Sequence, residues 1–315
     1  AAWNRADTIE RAIRSVANEP AVRSVIVVDD TSTDDTAARA ESLTASFPKL
    51  KVLRQPRNGG PSAARNAGIT AGEGTWIAIL DGDDYMQPGR LTRLLDQGKD
   101  ADLVADDLLQ IEEDAPTTAV ARPLLNIDAS WPAVVTLSEF VMGNIGMRGR
   151  MRREMGFLKP IMRRAFLQQH GLHYDNQVRL GEDYLLYAEA LARGARFRLT
   201  AAAGYVAVMR GDSLSGRHTR QDLEALLRGG RRLAALPGLQ PGERRALQQH
   251  CRHVDGKIRW LVVIEAVKER DLSRFLNAFL ASPQIGIGLI GKLLEQVYLR
   301  GAQKLRRLMG LTNVG

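Results

Sequence analysis

Short apolar runs alternate with helical segments through the first hundred residues, and this alternation constrains the fold more than any other feature. The apolar runs that we interpret as strands occupy residues 24–28, 51–53, 75–80 and 101–105, and the helical segments occupy residues 34–47, 62–71 and 88–97. Strand and helix in alternation predict an α/β fold with a mostly parallel sheet flanked by helices. In such a sheet, ligands bind beyond the carboxyl ends of the strands.

The composition is that of an ordinary globular protein, because 44% of the 315 residues are hydrophobic and 25% are charged. Cys251 is the single cysteine, so the chain forms no internal disulfide and fits a reducing compartment. No apolar run reaches the roughly 18 residues of a membrane span, and no signal peptide is visible. These features predict a cytoplasmic protein. The segment Ala1-Ala2-Trp3-Asn4 reads as the end of a strand whose beginning is missing.

The net charge of +8 is distributed unevenly along the chain. Residues 1–120 hold 13 Lys and Arg against 20 Asp and Glu, whereas the remainder holds 31 against 16. The asymmetry predicts an acidic half that binds metal and a basic half that meets an anionic surface or substrate.

The second half of the chain begins with a segment that is hard to assign. We interpret residues 110–160, with their prolines and Gly/Met/Arg-rich stretch, as a variable connection near the active site. A helix follows over 182–193, then strands over 196–199 and 205–209, and everything beyond residue 219 is predicted to be helical. We therefore expect a catalytic domain over 1–218 and a basic helical extension over 219–315.

Carboxylates follow two of the predicted strands. Asp29-Asp30 ends the first run, and Asp81-Gly82-Asp83-Asp84 ends another, so both clusters are expected on one rim of the sheet. The first pair also fits a simple turn that caps the next helix. The second cluster favours a cation, because three adjacent carboxylates repel unless they are neutralised, and oxygen ligands suit Mg²⁺ or Mn²⁺.

Glu182-Asp183 opens a predicted helix after Gly181. Acidic residues at this position stabilise a helix through its macrodipole, and they also suit a general base. The residues themselves leave both interpretations open.

The order of these segments resembles that of the family 2 inverting glycosyltransferases of the GT-A fold, particularly bacterial enzymes that build exopolysaccharide repeat units. The resemblance covers about residues 1–215, and no single motif is decisive. The segments that carry it are Trp3-Asn4-Arg5-Ala6-Asp7-Thr8-Ile9, Val25-Ile26-Val27-Val28-Asp29-Asp30-Thr31-Ser32-Thr33-Asp34, Asn58-Gly59-Gly60-Pro61-Ser62-Ala63-Ala64-Arg65-Asn66, Ile79-Leu80-Asp81-Gly82-Asp83-Asp84 and Gly181-Glu182-Asp183.

The resemblance implies a role for each matching residue. Asp30 resembles the carboxylate that contacts the nucleobase of a UDP-sugar, Asn4 lies in the first nucleotide loop, and Arg65 lies near the base and phosphates. Asp81 resembles the carboxylate that faces the ribose and metal-bound water, and Asp83 the direct metal ligand. Asp183 resembles the base that deprotonates the acceptor hydroxyl, with Glu182 beside it.

The resemblance also implies an activity, which is hexosyl transfer that depends on Mn²⁺ or Mg²⁺. Such an enzyme moves one sugar from a UDP-sugar to an acceptor hydroxyl with inversion. The acceptor would be a saccharide or a lipid-linked oligosaccharide in bacterial exopolysaccharide synthesis.

Two departures from the family pattern affect this expectation. Thr31 stands where the family often has glycine, which predicts a narrower turn. The Gln-x-x-Arg-Trp motif of processive membrane-bound synthases is missing from the sequence, which favours transfer of a single sugar.

Further candidates lie outside these segments. Arg210, Ser213 and Arg217 lie in the loop at 210–218 and are candidate contacts of the diphosphate or the acceptor. The loop also fits a basic surface turn without a ligand. His218 is a candidate third metal ligand, and Lys159 a candidate for the acceptor pocket.

The end of the chain combines helical periodicity with basic residues. Apolar residues recur at helical spacing (Ile290, Leu293, Leu294, Val297) among basic ones (Lys292, Arg300, Lys304, Arg306, Arg307). This pattern fits a packing helix or a homodimer interface, and equally a basic helix on the anionic inner face of a cell membrane. We expect no nucleic-acid partner, because no aromatic and basic platform is found.

Two other functions remain as alternatives at this stage. One is a nucleotidyltransferase that makes sugar nucleotides on a related sheet, and the other is a non-catalytic nucleotide-binding module whose helical extension serves as an interaction surface.

Overall fold

A computed structural model describes the chain over residues 1–116, 119–127, 133–146, 153–210 and 219–280, together with residues 286 and 290. Several predicted features lie outside these residues, namely Ser213, Arg217, His218 and the basic and apolar positions from Lys292 to Arg307.

The described residues form strands and helices in close alternation through the first half of the chain. The strands are β1 (Val25–Asp29), β2 (Leu50–Arg54), β3 (Trp76–Ala78), β4 (Tyr85–Met86), β5 (Leu103–Asp106), β6 (Leu109–Glu112), β7 (Arg122–Pro123), β8 (Ala133–Val135), β9 (Ile161–Arg163), β10 (Phe197–Thr200) and β11 (Tyr205–Met209). The helices are α1 (Ile9–Ala17), α2 (Thr36–Ser42), α3 (Gly60–Ala71), α4 (Arg90–Gln97), α5 (Leu137–Gly143), α6 (Arg164–Gln169), α7 (Glu182–Ala192), α8 (Arg220–Ala234), α9 (Pro241–Glu269) and α10 (Leu272–Leu280).

The strands pair in three groups, which confirms the α/β class with flanking helices. β1 and β2 are parallel, and Ala2 extends this pair through a parallel bridge to Asp29. The second group has the order β3-β9-β5-β10-β8 and the third has the order β4-β11-β6-β7.

The expectation of a mostly parallel arrangement needs correction, because the sheets are mixed. β5 and β10 are parallel, but β9 is antiparallel to both β3 and β5, and β8 is antiparallel to β10. β8 lies within the segment 110–160 that we assigned as a connection, and β9 begins directly after that segment. Each has three residues, which is too short to show a period-2 pattern.

Two predicted helices begin or end elsewhere. α2 covers only residues 36–42 of the predicted 34–47, because the Asp34 carboxylate accepts the Thr36 amide at 3.0 Å and so stands before the helix. α4 begins at Arg90 rather than at Pro88, since Gly89 takes the left-handed conformation at φ 77°.

The main hydrophobic core extends into the helical extension. Leu233 from α8 and Ala246 and Leu247 from α9 belong to the same buried cluster as Tyr184 of α7. The rings of Tyr184 and His250 stack with centroids 4.3 Å apart. The predicted helical character beyond residue 219 is confirmed over the described part, and the boundary at 219 stays a prediction. None of the described helices, even the 29-residue α9, is apolar enough over its length to cross a membrane.

A buried ion pair joins α4 to the central strands. Arg90 and Asp106 are each 1% exposed, and Arg90 Nε and Nη2 donate to Asp106 Oδ1 at 2.9 and 2.6 Å. The other carboxylate oxygen, Oδ2, accepts the amides of Ala203 and Gly204. Arg90 Nη2 also donates to the carbonyl of Lys159 at 2.6 Å. The pair therefore fixes the backbone at Lys159 and at the turn before β11.

We expect Asp106→Asn to destabilise the fold by about 3–5 kcal/mol, because removing one partner leaves the buried Arg90 charge uncompensated. The new amide must also turn its NH₂ group toward either Arg90 or the backbone amides of Ala203, Gly204 and Tyr205. Urea unfolding of the variant measures the effect. Glu41→Gln in the exposed pair with Arg54 is the control and should leave the unfolding midpoint unchanged. An Asp106→Asn midpoint equal to that of the wild type would contradict this account.

Candidate active site

The guanidinium of Arg65 lies among three carboxylates that come from distant parts of the chain. Arg65 projects from α3 and is 7% exposed. Its Nη2 donates to Asp81 Oδ1 at 2.8 Å, and its Nη1 donates to Glu182 Oε1 at 2.6 Å and lies 3.7 Å from Asp183 Oδ1. The planar fork of arginine donors thus joins the end of the β3 segment to the start of α7.

Lys159 is the second cation of this cluster. Its Nζ lies 3.0 Å from Asp81 Oδ2 and 2.6 Å from Asp183 Oδ2. The ammonium is buried, and the backbone that carries it is held by Arg90 as described above. Two buried cations therefore neutralise Asp81 and Asp183 and hold these carboxylates a few ångströms apart.

These contacts set the charge of each carboxylate. Burial alone would raise the pKa of Asp183, but Arg65 and Lys159 outweigh it and hold that pKa below its usual range. The same balance, with Lys159 as the larger attraction, places the pKa of Asp81 far below its usual range. For Glu182 burial dominates over Arg65 and raises the pKa. The pKa values of the two neighbours are therefore shifted in opposite directions, and Asp183 is the more acidic of the pair.

Two tyrosines complete the surroundings of Asp183. The hydroxyls of Tyr174 and Tyr187 donate to Asp183 Oδ1 at 2.9 and 3.3 Å. Asn66 positions Tyr174, because its side-chain Nδ2 donates to the Tyr174 carbonyl and its Oδ1 accepts the Tyr174 amide. Asn66 follows Arg65 directly on α3, so adjacent residues of this helix supply Arg65 itself and hold Tyr174, which donates to Asp183.

The remaining members of the Asp81-Gly82-Asp83-Asp84 segment differ in their surroundings. Asp83 pairs with Arg5 at 3.0 Å and its side chain is 22% exposed. Asp84 is buried, and its carboxylate accepts the Tyr205 hydroxyl at 2.8 Å and the Val208 amide at 2.9 Å. Burial, with the charges of Asp81 and Asp83, raises the pKa of Asp84 to about 7. Asp84 therefore anchors the segment to β11, whereas Asp83 faces outward.

The donor set of this segment fits a divalent cation through one carboxylate. Within the described part of the chain, no three His, Cys, Asp or Glu side chains converge as a preformed cage. Both oxygens of Asp81 already face Arg65 and Lys159, so Asp83 is the member with capacity for a metal. Mg²⁺ and Mn²⁺ sites of this kind use one or two carboxylates and take further oxygens from substrate phosphates and water.

The end of β1 forms a hydrogen-bonded loop. Asp30 is buried, and its two carboxylate oxygens each accept one amide, from Gly59 and Gly60, at 2.8 Å. Asn4 stabilises the same loop, since its backbone N–H donates to Ser32 Oγ at 2.9 Å. Thr31 has φ 59°, in the left-handed region that favours glycine. A residue with a side chain is strained in this conformation, so glycine would fit this turn better. Asp30 thus fixes the loop that begins α3, and its contact with a nucleobase stays a prediction.

The sequence candidates are therefore only partly brought together. The structure groups Arg65, Asp81, Glu182, Asp183 and Lys159 in one cluster, with Asp83 beside it. Arg210 follows β11 and pairs with Glu113 at 3.4 Å.

Residues that sequence reasoning missed are Tyr174, Tyr187 and Asn66. The sequence could have indicated Tyr187, because a residue four positions after Asp183 lies on the same face of a helix. It could not have indicated the contact between Tyr174 and Asn66, because these residues are 108 positions apart.

Comparison with known proteins gives the family and the fold. The model of the family described as glycosyl transferase family 2 matches residues 1–166. The chain is 42% identical over 293 residues to the succinoglycan biosynthesis protein ExoU of Rhizobium meliloti, which covers 93% of this chain and 85% of that protein.

Solved structures share the fold at low sequence identity. One is S. aureus TarS 1–349 in complex with UDP-GlcNAc, with a TM-score of 0.61, 19% identity, and coverage of 88% of this chain and 77% of that one. Another is the mannosyltransferase PcManGT from Pyrobaculum calidifontis in complex with GDP-Man and Mn²⁺, with a TM-score of 0.59, 15% identity, and coverage of 98% and 81%. These likenesses confirm the GT-A fold. The family model matches more than half of this chain, and ExoU aligns with 93% of this chain. The chain therefore belongs to glycosyl transferase family 2.

Proposed function

We propose that this glycosyltransferase moves one sugar from a UDP-sugar to an acceptor hydroxyl, with inversion at the anomeric carbon. The observation that carries the proposal is the bridge of Lys159 and Arg65 between Asp81 and Asp183. It holds a carboxylate assigned to the donor within a few ångströms of a carboxylate assigned to the acceptor.

Donor binding is assigned to the rim formed by Asn4, Asp30, Arg65, Asp81 and Asp83. Asp83 would hold Mn²⁺ or Mg²⁺, which offsets the charge that develops on the departing diphosphate. Support comes from the partial exposure of Asp83, which pairs with Arg5 through Oδ2 alone, and from the Mn²⁺ named with the mannosyltransferase neighbour. The two neighbours are named with UDP-GlcNAc and GDP-Man, so the choice of UDP is part of the proposal.

Asp183 is assigned as the general base. The acceptor oxygen attacks the anomeric carbon, the bond from that carbon to the diphosphate oxygen breaks, and Asp183 takes the hydroxyl proton. The lowered pKa of Asp183 keeps this carboxylate ionised, which a base requires, although the same shift lowers its affinity for the proton. One direct displacement inverts the anomeric centre without a covalent intermediate, and Glu182 supports the base through their shared partner Arg65.

The acceptor is proposed to be a saccharide or lipid-linked oligosaccharide in exopolysaccharide synthesis, at the inner face of the cell membrane. The support is the 42% identity to ExoU, whose name assigns that relative to succinoglycan biosynthesis. Lys159, Arg210, Ser213 and Arg217 stay predicted contacts of the acceptor or the diphosphate. His218 stays a predicted metal ligand.

Two variants separate donor binding from chemistry. Asp83→Ala should lose Mn²⁺-dependent UDP binding in a calorimetric titration, because it removes the proposed metal ligand. Asp183→Asn should keep that binding but reduce sugar transfer by roughly 10²–10⁴-fold, because it removes the base. GDP, titrated in parallel, tests the nucleobase.

The opposite pattern would contradict these assignments. Transfer by Asp183→Asn at the wild-type rate would show that Asp183 is not the base. Equal UDP binding with and without Mn²⁺, or in wild type and Asp83→Ala, would show that Asp83 does not hold a metal for UDP binding. Tighter binding of GDP than UDP would contradict the proposed donor.

Tyr174→Phe should lower kcat by roughly tenfold and leave UDP binding unchanged, because a hydrogen bond to a charged group contributes about 1.5–3 kcal/mol. The acid limb of the kcat profile should also move to higher pH. The hydroxyl donates to ionised Asp183, so its loss raises the pKa of that carboxyl and the active base is lost earlier as the pH falls.

Tyr184→Phe is a matched control for this variant. Its buried hydroxyl has no hydrogen-bond partner among the described residues, although the residue follows Asp183 directly. Its kcat and pH profile should equal those of the wild type. The role of Tyr174 would be contradicted if Tyr174→Phe behaved like this control.

A further inference from the structure

The arginines of the helical extension fall into paired and unpaired sets. Arg220, Arg232, Arg259 and Arg274 each pair with a carboxylate. Five others, all exposed, have no acidic partner within the described part of the chain, and they are Arg228, Arg231, Arg245, Arg252 and Arg270. A set of like charges without counter-charges is costly on a fold unless it serves an anionic partner.

Four of the unpaired arginines, from α8 and α9, share one face of the hairpin that these helices form. Arg231 from α8 and Arg252 from α9 line the same groove between these helices, which has a volume of about 430 Å³. Arg228 lies three residues before Arg231, and Arg245 lies seven residues before Arg252, so helical periodicity places them on the same side. We call these four residues the basic face.

An exposed apolar stripe lies on α10, the helix that follows α9. Leu272, Leu276 and Leu280 recur every four residues along α10 and are 68%, 49% and 79% exposed. Arg259, seven residues after Arg252 on α9, lines the groove between α9 and α10. α10 therefore packs against α9 near Arg259, and the leucines of the stripe are exposed.

We propose that the basic face and the leucine stripe together dock on a bilayer surface that contains anionic lipids. Arginines attract the headgroups, and exposed leucines enter the boundary of the acyl region, as in helices that lie in a membrane interface. The purpose of this docking rests on the proposed lipid-linked acceptor, because such an acceptor is presented at headgroup level.

The position of the docking surface suits that purpose. α8 packs on the start of α7, where the side chain of Leu226 lies against Gly181, the residue before Glu182. Arg232 of α8 also pairs with Asp175, one residue after Tyr174. The extension that would meet the membrane is thereby fixed directly to the elements that carry and position Asp183.

The test is sedimentation of the full chain with vesicles of phosphatidylcholine, with and without phosphatidylglycerol. The wild type should bind the anionic vesicles and release them at high salt. Replacing Arg228, Arg231 and Arg252 by Gln should weaken that binding by roughly 100-fold, at about fivefold for each charge near the surface. Leu272→Ser with Leu276→Ser should weaken it independently of salt.

A matched control removes three exposed charges elsewhere, through Arg39→Gln, Lys49→Gln and Lys51→Gln near α2 and β2. This control should bind vesicles like the wild type, and UDP titration should show that all variants are folded. The inference is overturned if the wild type does not prefer anionic vesicles, or if the control loses as much binding as the arginine variant. Vesicle binding through the basic face without any sugar transfer would support the docking surface and contradict the proposed function instead.

Discussion

The structure depends on one guanidinium. Arg65 is buried and the carboxylates of Glu182 and Asp183 are nearly so, so the repulsion among these two and Asp81 is offset by cations within the fold. Lys159 supplies the second positive charge and bridges the two carboxylates most distant in sequence, Asp81 and Asp183. The same interactions that stabilise this interior therefore define the spacing between the donor and acceptor sides of the proposed reaction.

The cluster is precise because each of its members is itself held. The side chain of Asn66 forms two hydrogen bonds with the backbone of Tyr174, and the Tyr174 hydroxyl in turn donates to Asp183. On the other side, the Arg90–Asp106 pair fixes the carbonyl of Lys159. Groups that must stay within a fraction of an ångström are thus supported by hydrogen bonds to rigid helices and strands rather than by loops alone.

Local patterns in the sequence predicted those parts of the fold that local physics determines. β11 was predicted with its observed bounds and α7 within one residue, because each has a clear period and a clear start. The two carboxylate clusters were found because each follows a short apolar run that forms a strand, β1 or β3. β9 and the roles of Lys159, Asn66 and Tyr174 were not, because a three-residue strand has no period and contacts across some hundred residues leave no mark in a single sequence.

The most direct test of this account is the rate of sugar transfer by Arg65→Lys, with urea unfolding as the measure of its fold. The variant keeps the positive charge, but an ammonium cannot reproduce the fork that reaches Asp81 and Glu182 together. The account predicts a folded protein whose transfer rate falls by roughly 100-fold, the usual effect of misplacing reactive groups by about 1 Å. A folded Arg65→Lys variant with wild-type transfer would contradict the claim that this guanidinium sets the geometry of the site.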